Sequence, residues 1–132
     1  MDVLDLRDLA IAQLQHLDVD LTDGEPVTGP DGRVRRTVIL SVTTGTATNR
    51  RAAGGSVDRV GTVNALIVTA SRDSCLWLTE RVRDALADVP LGGGQGRLTD
   101  ASYDTEPIPE PDTRPESWSQ ALAFTATRKR SS

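Results

Sequence analysis

The stretch TVNALIVTASRDSCLWLTERVRDAL, residues 62–86, constrains this chain more than any other. Its first eight residues are rich in β-branched side chains and end in a small-residue turn, the signature of a strand. From residue 72 the period changes to that of a helix. Cys75, Leu78, Val82 and Leu86 form one stripe, widened by Leu76, Ala85 and Val89, while Glu80, Arg81, Arg83, Asp84 and Asp88 fall off it. Ser71, Asp73 or Ser74 caps the first turn, and Pro90 with Gly92–Gly94 ends the helix. A strand feeding straight into an amphipathic helix must lay the helix stripe on a sheet, so further strands are required.

They are found on both sides. Val3, Leu6, Ala10, Leu14 and Leu17 recur at helical spacing, with Asp2, Asp5 and Asp8 near the positive end of the helix dipole, which predicts a helix over residues 2–16. GPDG at 29–32 predicts a tight turn joining a short strand near 25–29 to a longer one at 34–44. In the longer strand Val34, Arg36, Val38, Leu40 and Val42 share one face, and Arg35, Thr37, Ile39, Ser41 and Thr43 the other. Residues 45–60 read as a long basic loop, followed by the strand of the opening stretch. Two more strands are expected near 97–104 and 117–129, where Trp118, Leu122 and Phe124 share a face. Between them lies a stiff, proline-rich acidic loop at 105–116, and residues 128–132 read as a tail. The predicted class is α+β: a mainly antiparallel sheet of about five strands with two helices, in the order α-β-β-β-α-β-β. At 132 residues this fills one domain, 1–132. With aromatics at 3%, its core must be built from Val, Leu, Ile and Ala.

Charge is segregated along the chain. Residues 1–32 hold eight acidic groups against the single Arg7, whereas residues 33–60 hold six arginines against Asp58. An overall charge of −4 is unlike a general nucleic-acid binder, while opposite-signed surfaces on one small domain suit contacts between protein copies. The single Cys75 excludes an intramolecular disulfide and a thiolate-rich metal site, and fits a reducing cytosol. The acidic N-terminus does not read as a signal peptide, and no apolar run reaches the roughly 20 residues of a membrane span.

Catalytic and cofactor chemistry finds little support. GGGQG at 92–96 follows a helix, where a phosphate loop follows a strand, and it lacks both the G-x-G-x-x-G spacing and the terminal Lys-Ser/Thr. DVDLTDG at 18–24 misplaces its third acid for a calcium loop and puts Gly29 where a bidentate Glu belongs. His16 closes a helix, where a cation suits the dipole. Cys75 lies on the apolar stripe as a small hydrophobe. The pair Asp104 and Glu106 sits in a loop unsuited to holding two carboxyl groups at a fixed separation. No enzyme, cofactor or metal is expected. The remaining candidates are Arg50, Arg51 and Arg59 in the basic loop, with Arg35 and Arg36 on the same surface; they suit a neighbouring subunit, an acidic partner or DNA passing nearby.

Taken together, TVNALIVTASRDSCLWLTERVRDAL and the closing ESWSQALAFTAT resemble the tail terminator (tail-completion) proteins of long-tailed, siphovirus-type bacteriophages, particularly those infecting actinobacteria. The likeness runs over roughly residues 3–128 in order of elements. What the resemblance implies is a small domain with helices packed on a mixed sheet, assembled in the host cytoplasm into a hexameric ring in the virion. That ring caps the head-proximal end of the tail tube, stops tube polymerisation and joins the tail to the head connector. The partners so implied are further copies of the chain, the tail tube protein, the connector, and DNA crossing the channel without sequence specificity. No reaction or cofactor belongs to the family. The candidate interface residues, taken from the basic loop, the strand start before it and the proline-rich loop, are Arg35, Arg36, Asn49, Arg50, Arg51, Arg59, Glu110, Asp112 and Arg114. A head-tail connector or stopper, another neck protein, and a small binding domain outside phages are the alternatives.

Overall fold

A computed structural model describes residues 3–44, 57–91, 96–102, 106–110 and 116–129. The elements are α1 (Val3–Leu14), β1 (Asp20–Thr22), β2 (Thr37–Thr44), β3 (Val57–Thr69), α2 (Arg72–Leu86), β4 (Leu98–Asp100), β5 (Ile108–Pro109) and β6 (Trp118–Lys129). The six strands make one mixed sheet in the order β1-β2-β3-β6-β4, with β5 also pairing β6. Only β1 and β2 run parallel among these pairs. The predicted α+β class holds, with one strand more than expected.

The register explains how the core is made. Val38, Ile67 and Gln120 form one row across the sheet, Leu40, Ala65 and Leu122 the next, and Val42, Val63 and Phe124 a third. These rows share the face that both helices cover. Leu6, Ala10 and Leu14 of α1 and Cys75, Leu78, Val82 and Leu86 of α2 close onto it, all fully buried. Branched aliphatic side chains around one phenylalanine build this interior, as the shortage of aromatics requires.

α2 begins where the sequence stops being a strand. The Thr69 hydroxyl donates to the Ser71 carbonyl at 2.7 Å, and the Ser71 side chain accepts from the Ser74 amide at 3.2 Å, satisfying an otherwise orphaned helix donor. The helix ends at Leu86, and Asp88 takes a left-handed backbone (φ 62) before Pro90. One polar pair crosses the core: the Thr79 hydroxyl donates to Gln120 Oε1 at 3.3 Å. Thr79 completes the buried stripe in the place expected for Leu76, which is 38% exposed.

Several boundaries differ from expectation. Residues 25–29 form no strand; GPDG turns as predicted, with Gly32 at φ 78, but the arms meet only in a single Thr28–Val34 bridge. The edge position beside β2 is taken instead by β1, where the Asp20 amide donates to the Arg36 carbonyl. The expected loop 45–60 is shorter, because Val57–Arg59 pair with Lys129–Thr127, and this pairing also draws Arg128 and Lys129 out of the expected tail. The proline-rich loop 105–116 contains β5. Prolines at 107 and 109 are tolerated there because β5 is an edge strand, where a missing N–H breaks no ladder. The strand expected at 97–104 is confined to Leu98–Asp100, and α1 stops at Leu14, leaving His16 exposed beyond its end.

Candidate interaction interface

The two faces of the sheet are unlike. Opposite the helices, Ile39, Leu66 and Ala121 form one row, Ser41, Asn64 and Ala123 the next, and Thr43, Thr62, Thr125 and Thr99 the last. No helix covers this face among the described residues, and a shallow concavity over it is lined by Asn64, Leu66, Ser102, Ala121 and Ala123. The grading runs from apolar to hydroxyl-rich along the strands.

The arginines that the sequence singles out are placed differently from one another. Arg35 Nε donates to Asp20 Oδ2 at 2.7 Å, so its charge is met within the chain by β1. Arg36 turns to the helix side: its guanidinium lies 4.6 Å from the centroid of the Trp77 ring, and its Nε reaches Ser74 Oγ at 3.4 Å. Arg81, one turn along α2, places its guanidinium 5.1 Å from the same ring. The two neighbours in sequence thus serve two surfaces, joined by a groove lined by Asp18, Val19, Asp20, Arg35 and Arg36. The backbone of Arg59 is in β3 opposite Thr127, beside a bulge between Arg59 and Gly61. Asn49, Arg50, Arg51, Asp112 and Arg114 lie outside the described residues, as does the side chain of Arg59. Glu110 is exposed; its carboxylate accepts the Ser119 hydroxyl and its amide donates to the Ser117 carbonyl at 2.9 Å, fastening β5 to β6.

Sequence reasoning passed over Trp77. At 41% exposure it is a large ring left at the surface, and its position off the Cys75–Leu86 stripe was the available signal. Beside it Leu76 is also exposed, and Ile108 in β5, at 59%, is the most exposed large apolar side chain among those described.

Asp20, Asp23 and Cys75 sit in structural settings. Asp20 faces Arg35, and Asp23 lies 3.5 Å from Arg7, so two carboxylates of DVDLTDG meet arginines. Cys75 is buried, and desolvation pushes its thiol above the ordinary value of about 8.5, opposed by the hydroxyls of Thr79 and Thr69. The folded chain therefore holds this proton more tightly than the unfolded chain. The resulting stability is intact below the ordinary thiol value and is lost as pH rises through the higher folded value. In urea titrations from neutral to alkaline pH, the stability difference between the native chain and Cys75→Ala should narrow above about pH 8.5; parallel curves would contradict this burial.

No family model matches the sequence, and no curated protein matches it. Among solved structures the chain is similar to one in the "virion of native gene transfer agent (GTA) particle", with a TM-score of 0.46 and 17% identity, covering 96% of this chain and 90% of that chain. A likeness of this degree transfers no role, partner or assembly to this chain. No helix among the described residues is long and apolar enough to cross a membrane.

Proposed function

We propose that this chain is a structural virion protein of the tail terminator kind, a ring-forming module that caps a phage tail tube at its head-proximal end and joins it to the connector. The observation that carries the reading is the unit Thr62–Leu86. The stretch on which the sequence resemblance rests is a strand-to-helix scaffold whose stripe is consumed by the core. Around it stand the features an assembling module needs: a sheet face that no described helix covers, edge strands at β1, β4 and β5, and segregated charge. Catalysis has no part in this role. Homo-hexamers, the tube protein and the connector are the partners in this reading, with DNA passing through the ring unread.

Arg50, Arg51 and Arg59 are assigned to contacts with a neighbouring subunit, the tube or the connector, and Asn49, Glu110, Asp112 and Arg114 to the same class of contact. Replacing the three arginines by Ala should abolish ring formation or tube capping, read by negative-stain microscopy and tube length, while leaving the melting temperature within a few degrees. Unchanged rings and unchanged capping would overturn the assignment.

A further inference from the structure

Two exposed apolar patches on this chain carry opposite charge. The first is Trp77 with Leu76, where the guanidinium groups of Arg36 and Arg81 rest against the indole ring. Asp73 and Glu80 lie on the same helix, but the charges held against the ring are cationic. The second is Ile108 with Pro109, flanked by the exposed Glu106 and Glu110. Over residues 105–116 four acidic side chains stand against the single Arg114.

The patches cannot meet within one chain. Thr37, Val68, Ser119 and Ile108 form one row across the sheet, so Arg36 and Ile108 lie at the same end of it, three strand spacings apart, or roughly 14 Å. Ile108 belongs to a row on the face opposite the helices, whereas Trp77 stands on the helix layer. The sheet lies between them. Pro109 in β5 and Pro107 just before it lack N–H groups, so this edge meets a partner through side chains rather than by strand addition.

We infer that the Trp77 platform of one copy receives the Glu106–Glu110 edge of the next, in a head-to-tail contact between copies of this chain. Proline and isoleucine side chains cover the indole and Leu76, and the exposed Glu106 meets Arg36 and Arg81, a pairing of aromatic platform, proline-containing strand and opposite charge. A contact between two different patches leaves one of each free, so it propagates and closes only as a ring or continues as a filament. The inference deepens the ring reading by naming the contact that builds the ring.

Two variants test it, since both positions are exposed and neither supports the core. Trp77→Ala removes the platform and Ile108→Asp spoils the edge. Each alone should associate about thirtyfold more weakly than the native chain in sedimentation, as loss of a central interface anchor does. Mixed together they should form a 1:1 dimer and nothing larger, because the intact edge of the first fits the intact platform of the second. Should Trp77→Ala lower the melting temperature, the pair Arg36→Glu and Arg81→Glu takes its place in the same mixture. Variants that associate like the native chain, or a mixture that stays monomeric while each variant alone is impaired, would overturn the contact and leave the ring reading standing. A native chain that is monomeric at every concentration, with tail tubes and without, would overturn both.

Discussion

Phe124→Ala should lower the unfolding free energy by about 3–5 kcal/mol, a large share of the roughly 5–15 kcal/mol that holds a folded domain together. Phe124 is the only phenylalanine in the chain and is fully buried. It sits in β6 opposite Val63 of β3 and opposite Asp100 of β4, on the face that both helices cover. Val63, directly opposite in β3, is β-branched and stiff at χ1, so it does not swing into a space the size of an aromatic ring. The hole therefore persists, and the cost exceeds the transfer term alone. Urea unfolding followed by far-UV circular dichroism measures the difference directly. A loss below about 1 kcal/mol would mean that the ring is not the centre of the interior.

Leu78→Ala and Leu76→Ala make the second contrast, because one residue type occurs twice, two positions apart, on one helix. Leu78 is fully buried against the sheet, and its truncation should cost about 2–5 kcal/mol. Leu76 is 38% exposed, and the same change there should stay within about 0.5–1 kcal/mol. Both are measured at low protein concentration, where self-association adds nothing to apparent stability. Equal losses would place the helix in another orientation on the sheet. The contrast thus reads the direction of the stripe, on which the scaffold account depends.

Much of the fold was legible because it obeys two periods. The 3.6-residue stripe Cys75–Leu86 and the alternation in residues 38–42 and 118–126 name the core side chains, since each has only one buried surface to serve. Three features escaped for physical reasons. β1 is three residues long and held by parallel pairing to β2, too short for any alternation to show. β3 begins at Val57 because its partner β6 runs to Lys129, so the strand end was set by a segment seventy residues away in sequence. β5 is written in prolines, which read as loop unless the strand is known to lie at an edge.

The interface was less legible than the core. Adjacent arginines at 35 and 36 look alike in sequence, yet one is met by Asp20 and the other lies on Trp77. That difference depends on where α1, β1 and α2 come to rest around β2. Trp77 was visible as an aromatic off the apolar stripe, but its role as a platform needed Arg36, forty-one residues earlier, to be brought against it. Charge segregation showed that the chain has surfaces of opposite sign without showing which side chains remain available for a partner.

Native mass measurement of the purified chain, alone and after incubation with assembled tail tubes, tests the central claim most directly. The account predicts a closed homo-oligomer with six copies at the end of each tube, and tubes that no longer lengthen when fresh tube protein is added. A chain that stays monomeric in both conditions, with tubes that continue to grow, would contradict it.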